Sequence, residues 1–190
     1  ALMGDRYIRF APDGRRLGPV PAGIRGDEVQ VTNRWRFRPD GDRWTLHQDS
    51  VDLVRENGKG GRWERRIERR PDGEYFGIAL NFAVFPDSEL LVTDDEGAYI
   101  YDANGKPLRT VAIPSGYTTS VAAGATWIAA TYEGAVYLTP RAGGPLQRFA
   151  PIRRPGDAEK PFYQLLTDPK GEELWVRDHE SGRIDRYAFP

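Results

Sequence analysis

Residues 81–113, NFAVFPDSELLVTDDEGAYIYDANGKPLRTVAI, break into four short apolar runs separated by three turn signals. The run 82–85 stops at Pro86-Asp87-Ser88, and Leu90-Leu91-Val92 stops at Asp94-Asp95-Glu96-Gly97. Tyr99-Ile100-Tyr101 stops at Asn104-Gly105, and a last run ends before Pro114-Ser115-Gly116. Runs this short, rich in branched and aromatic residues, are strands, and Asn-Gly is the dipeptide that best supports a type I′ hairpin turn. Four strands joined by tight turns form an antiparallel meander, the unit of one β-propeller blade.

The rest of the chain echoes that unit. Residues 39–59 and 86–106 share Pro, Asp, Asn, Gly and Lys at a fixed offset of 47. Glu133-Gly134-Ala135-Val136-Tyr137 repeats Glu96-Gly97-Ala98-Tyr99-Ile100 at an offset of 37. Glu173-Leu174-Trp175-Val176 followed by residues 183–187 has the same strand, acidic turn, strand form, and residues 7–15 match only the later half of the unit. Recurrence at roughly 40–45 residues is what propeller blades show. The expected fold is therefore all-β, a single β-propeller domain over residues 1–190 built of four-stranded blades. A partial blade covers 5–26, and blades follow at about 28–72, 75–113, 117–152 and 160–190. Whether these four or five blades close on themselves or belong to a ring of six or more is left open. Residues 60–70, GGRWERRIERR, are the one place where helical spacing competes with alternation. Their position as the outermost strand of a blade, where charge is tolerated, favours strand.

The totals narrow the function classes. A formal net charge of −1 argues against holding nucleic acid by bulk electrostatics. The absence of cysteine removes disulfides, thiolate metal sites and a cysteine nucleophile together. No run approaches the roughly 18 apolar residues of a membrane span. Ala1-Leu2-Met3-Gly4 reads as a trimmed start, which keeps a soluble protein, secreted or periplasmic after loss of a signal segment, among the expectations.

Residues 162–187, FYQLLTDPKGEELWVRDHESGRIDRY, resemble an NHL-type propeller repeat in their Asp-Pro-x-Gly turn, Leu-Trp-Val-x-Asp strand and Ser-Gly-Arg-Ile-x-Arg-Tyr ending. Residues 81–106 are similar in the same way, and TolB-like and gluconolactonase-like propellers share these turns. The NHL resemblance implies protein or nucleic-acid binding more often than catalysis. The weaker gluconolactonase resemblance implies a divalent cation, calcium or another, held by an Asn before a strand and Asp residues at strand ends. Asn81, Asp94 and Asp178 stand in those places, whereas that group's acidic entry motif is absent.

In propeller topology the second turn of each blade opens on one face. Those turns hold His47 and Asp49, Asp94-Asp95-Glu96, Glu133, and Asp178-His179. They are candidates for an acidic face that binds a cation, a basic peptide or a cationic ligand, against the plainer expectation that Asp and Gly simply make good turns. Arg34, Arg36 and Arg38 alternate on one strand face and, with Arg65 and Arg69, sketch a basic side. There is no G-x-S-x-G elbow, and Gly58-Lys59-Gly60-Gly61 lacks P-loop spacing. The expected function is a non-catalytic binding or scaffold module with a protein or small-ligand partner. The alternatives are a cation-using lactone hydrolase or lyase, and a structural subunit whose ring is completed by oligomerisation or another segment.

Overall fold

The computed structural model describes the backbone of residues 2–3, 6–10, 16–19, 35–37, 43–46, 51–56, 62–77, 81–114, 116, 118–151 and 161–189. It describes side chains at Val51, at 65–77 and at the described positions from 81 onward. All regular structure among these residues is strand. The chain divides into two compact units, Ala1–Arg34 and Trp35–Pro190. The first holds β1 (Leu2–Met3), β2 (Arg6–Phe10) and β3 (Arg16–Pro19), paired in that order and antiparallel.

The second unit holds four antiparallel sheets, each a meander in chain order. The first comprises β4 (Trp35–Phe37), β5 (Arg43–Leu46), β6 (Val51–Glu56) and β7 (Arg62–Ile67). The next comprises β8 (Asn81–Val84), β9 (Leu90–Thr93), β10 (Ala98–Tyr101) and β11 (Pro107–Val111). The third comprises β12 (Thr118–Ala123), β13 (Trp127–Tyr132), β14 (Ala135–Pro140) and β15 (Gln147–Phe149). The last has three strands, β16 (Tyr163–Thr167), β17 (Glu173–Asp178) and β18 (Ile184–Ala188). The first strands of neighbouring sheets lie side by side, β8 next to β12 and β12 next to β16. Four-stranded meanders stacked through their first strands are β-propeller blades, so the fold is an all-β propeller type of several blades. The segment that admits a helical reading, 60–70, carries the edge strand β7.

Turn chemistry explains the strand breaks, with one correction. Asn104-Gly105 is not a two-residue type I′ turn. Gly105 has φ 78°, whereas Asn104 is not in the left-handed region, and the loop is closed by Asp102. Its N–H donates to Lys106 O at 2.8 Å, and its carboxylate accepts the N–H groups of Asn104 and Lys106, each at 2.8 Å. An Asx-type cap followed by one left-handed glycine does the work expected of the dipeptide. Asp168 repeats the device, accepting from Lys170 N at 3.0 Å and Glu173 N at 2.7 Å. The two-residue turn with both residues left-handed is instead Glu133-Gly134, with φ 47° and 75°, between the paired residues Tyr132 and Ala135.

Central strands are buried on both faces, which is why Leu90-Leu91-Val92 is a continuous apolar run rather than an alternation. Leu90 and Val92 pack with Val51, Ile67, Phe76 and Tyr101 toward the β4–β7 sheet. Leu91 and Ile100 face the other way, into Val121, Ile128 and Ala130 of the third sheet. Trp127, Ala129 and Val136 continue the pattern against Tyr163, Leu165, Leu174 and Val176. Each fully buried Leu or Ile in these layers contributes about 1.5–3 kcal/mol relative to exposure.

Polar ties cross the same interfaces. A bulge in β12 shifts the register between Thr118 and Val121 and takes Ser120 out of the regular ladder. Thr131 Oγ1 repairs the loss, accepting from Ser120 N at 2.8 Å and donating to Ser120 O at 3.2 Å. The Ser120 hydroxyl then accepts Leu165 N at 2.9 Å, tying the third sheet to the fourth. At the other end of the strands, Arg141 pairs with Asp87 at 2.6 Å and Glu89 at 2.7 Å, with its guanidinium 4.1 Å above the Phe85 ring. Burial opposes that charge, but the two carboxylates hold the Arg141 pKa above its ordinary value.

Gly171 sits where three blades meet. Its φ is 72°, its carbonyl accepts Ala125 N at 2.8 Å, and a Cβ there would collide with Ala125 N and lie 2.7 Å from Pro86 Cγ. Gly182 has a similar φ of 70° but open space around it. Gly182→Ala is therefore expected to cost about 1 kcal/mol, the left-handed penalty alone. Gly171→Ala should lose a further 1–3 kcal/mol or so from overpacking. Urea unfolding of both variants checks this, and equal losses would show that the blades do not meet closely there.

Candidate functional site

The second turns of the blades place the candidate residues, and Asp94 is the first surprise. Its side chain is fully buried rather than displayed on a face. Oδ2 accepts Arg70 Nε at 2.9 Å and Gly77 N at 3.0 Å. Oδ1 accepts Glu96 N at 2.9 Å, Gly97 N at 3.0 Å and Tyr99 OH at 3.1 Å. Burial alone would raise the Asp94 pKa, but the N–H groups of Gly77, Glu96 and Gly97 and the Arg70 guanidinium outweigh it and hold the carboxyl below the usual range. Tyr99 is pushed up, first by burial and then by the Asp94 charge beside it. Arg70, 9% exposed, also reaches Glu96 Oε2 at 2.5 Å, so Glu96 is an ion-pair partner as well as a surface acid. With both oxygens occupied by five donors, Asp94 has nothing left for a ligand.

Gly77 is a necessary part of this knot. A Cβ there would overlap the Asp95 carboxylate and come within 3.2 Å of Arg70 Nη2. Asp95 Oδ1 is buried without a hydrogen-bond partner, and Asp95 O accepts Gly116 N at 2.8 Å.

Asp178 occupies the corresponding place in the last sheet and does a similar job. It is buried, and Oδ1 accepts Glu180 N at 2.9 Å and Ser181 N at 3.0 Å. Asn81, in β8, donates from Nδ2 to Thr118 O at 2.6 Å, another interblade tie. Among the described residues no group of three or more His, Asp or Glu side chains is placed to hold a metal ion. His179 is exposed, donates its N–H to Phe162 O at 2.9 Å and keeps its ring 5.3 Å from the Phe162 ring.

Glu133 is different. It is exposed, it occupies the left-handed first position of the two-residue turn, and its carboxylate has no hydrogen-bond or ion-pair partner among the described residues. A left-handed φ costs a non-glycine residue about 1–2 kcal/mol, which the hairpin here accommodates. Two residues lie between its closing pair, Tyr132 and Ala135, as two lie between Asp94 and Gly97, whose N–H and carbonyl close the second sheet's turn at 3.1 Å; four lie between Asp178 and Arg183. The turn lines a cleft of about 350 Å³. Tyr132, Glu133 and Gly134 share its lining with Pro161, Phe162 and Tyr163 and with Gly116, Thr119 and Thr131. Phe162 is 45% exposed.

Of the remaining candidates, His47, Asp49, Arg34 and Arg38 lie outside the described residues, and Arg36 is described only as backbone of β4. Arg65 is exposed on β7. Arg69 is engaged by its own hairpin, donating to Gly73 O at 2.8 Å and Tyr75 OH at 2.6 Å, with its guanidinium 3.8 Å from the Tyr75 ring centroid. The structure thus brings Glu133 to a cleft and His179 to the back of one of its walls, and withdraws Asp94 and Asp178 into the fold. Tyr132, Phe162 and Thr119 were not readable as site residues, because nothing local distinguishes them from core aromatics and strand threonines.

No protein-family model matches the chain. No curated protein matches it in sequence. Solved structures share its fold. Virginiamycin B lyase from Staphylococcus aureus, with quinupristin, is 13% identical with a TM-score of 0.50, covering 97% of this chain and 63% of the other. Kuenenia stuttgartiensis hydrazine synthase is 13% identical with a TM-score of 0.52, covering 90% and 53%. An auxiliary nutrient binding protein from Bacteroides thetaiotaomicron is 8% identical with a TM-score of 0.52, covering 82% and 41%. The chain thus spans less than two thirds of the length of these propeller-type structures. No helix among the described residues is long and apolar enough to cross a membrane.

Asp94→Asn should expose how far the knot carries the fold. An amide cannot accept from Arg70 and Gly77 on one side and from three donors on the other, so a loss of about 3–5 kcal/mol is expected in urea unfolding. Asp178→Asn keeps an acceptor for both N–H groups and should lose less than half as much. The acid limb follows from the lowered Asp94 pKa. The stabilisation is present above the unfolded value of about 3.9 and fades as pH falls through the folded one. Equal losses for the two variants, or an acid limb unchanged in Asp94→Asn, would contradict this account.

Proposed function

We propose that this chain is a recognition module whose binding site is the cleft between the β12–β15 and β16–β18 sheets. The observation that carries the reading is the cleft of about 350 Å³ lined by Tyr132, the Glu133-Gly134 turn and the exposed Phe162. Pockets that hold small ligands or a protruding side chain have this make-up, apolar walls with a few placed polar groups. The resemblance of residues 162–187 to NHL-type repeats supports binding over catalysis. The shared fold does not choose, since the solved structures of like fold include both a lyase and a nutrient binding protein. The cation-using enzyme reading is supported less well, because Asp94 spends both oxygens on internal donors and Asn81 is tied to Thr118 O.

A small-fragment library screened by ¹H–¹⁵N correlation NMR on the 190-residue chain tests the site. Hits should group their shifts at Gly116, Thr131, Gly134 and Phe162, and Phe162→Ala should weaken them by about tenfold, as loss of an aromatic anchor does. Hits that cluster at other positions and ignore Phe162→Ala would move the site away from this cleft.

A further inference from the structure

Resting on that reading of the cleft, we propose that it takes an organic cation, an alkylammonium or guanidinium head group, between Tyr132 and Phe162 with Glu133 as its counter-charge. The first support is the choice of residue at 133. The first central position of a type I′ turn is filled with least strain by Asn, Asp or Gly. Glutamate at φ 47° gives up that ease and puts a longer, negatively charged residue in the lining of the cleft. Ser88 is the other non-glycine residue with positive φ among the described residues, and its turn is not part of the cleft.

The second support is the place of Glu133 among the acids of these turns. Asp94 and Glu96 are paired with Arg70, Asp178 caps its own turn, and Asp95 Oδ1 is buried without a partner. Glu133 is exposed, and of these five it is the one that lines the cleft.

The third is the make-up of the lining. Tyr132, Phe162 and Tyr163 line the cleft together with Thr119 and Thr131, whose hydroxyls lie 2.7 Å apart. Hydroxyl oxygens accept as well as donate, and cations gain from aromatic ring faces, so this lining beside a carboxylate suits a ligand that brings donors and positive charge. One carboxylate is too few for calcium, which takes six to eight oxygens. The head group is thus organic, from a free amine or from a basic side chain of a peptide.

The test is NMR titration of the 190-residue chain with n-butylammonium, n-butylguanidinium, the neutral isostere 1-butanol and a lysine-containing tripeptide. Glu133→Asn serves as the variant, because Asn suits the turn and leaves the hairpin intact. Millimolar binding of the cations with shifts at Gly116, Thr131, Gly134 and Phe162 is expected, with 1-butanol at least about tenfold weaker. Glu133→Asn should cut the cation affinity by about tenfold while the melting temperature holds or rises. A tripeptide that binds about tenfold tighter than butylammonium supports a side-chain source, and equal affinities support a free amine. If 1-butanol binds as well as the cations, or Glu133→Asn leaves their affinity unchanged, charge recognition is overturned while the cleft remains a binding site. If no probe, charged or neutral, shifts these residues, both this inference and the binding reading fall.

Discussion

The second unit is built around a carboxylate that cannot be left alone. Asp94 carries a full charge into a place where its side chain has no solvent. Burying an isolated carboxylate costs several kcal/mol, so the surrounding chain has to supply compensation. The compensation comes from three directions. Gly97 and Glu96 supply N–H groups from the turn itself, Tyr99 supplies a hydroxyl from β10, and Arg70 and Gly77 approach from the connection that follows β7. That last contribution turns a local cap into a long-range tie. The connection after the first sheet passes with Gly77 against the Asp95 carboxylate and the Arg70 side chain turned inward to Asp94.

A second arginine performs the matching task at the other end of β9. Arg141 grips Asp87 and Glu89 in the turn before the strand, as Arg70 grips Asp94 and Glu96 in the turn after it. Sheets that meet only through apolar faces can slide, because hydrophobic contact is not directional. Paired charges at both ends of a buried strand set the register of one blade against the next. The Ser120 bulge adds a third fixed point, since its hydroxyl accepts a backbone N–H from β16.

The architecture was legible from the chain because blade meanders announce themselves through turns. Pro86-Asp87-Ser88, Asp94 to Gly97 and Asp102 to Gly105 interrupt apolar runs at the spacing that strands need, and each interruption is a turn in the structure. The detailed turn types were less legible. Asn104-Gly105 carries the familiar hairpin dipeptide, yet Asp102 closes that loop, while the two-residue turn of the primed type belongs to Glu133-Gly134. A side chain that caps a turn competes with the dipeptide preference, and the string of letters does not say which wins. The acidic face was half legible for the same reason. Asp is abundant in these turns because its carboxylate satisfies backbone donors, a use that occupies both oxygens of Asp94 and one of Asp178. Nothing in a linear reading ties Asp94 to Arg70, 24 residues away.

The cleft follows from what the third sheet lacks. In its second turn Tyr132 stands where Asp94 and Asp178 stand in the neighbouring sheets. An aromatic at that position cannot recruit N–H groups. It packs instead against Gly116, where a Cβ would come within 2.8 Å of its ring. The flanking turns are held by their own carboxylates instead. The acid of the third turn, Glu133, carries no such structural duty, which is how a structural repeat can hold a site in one copy and not in the others.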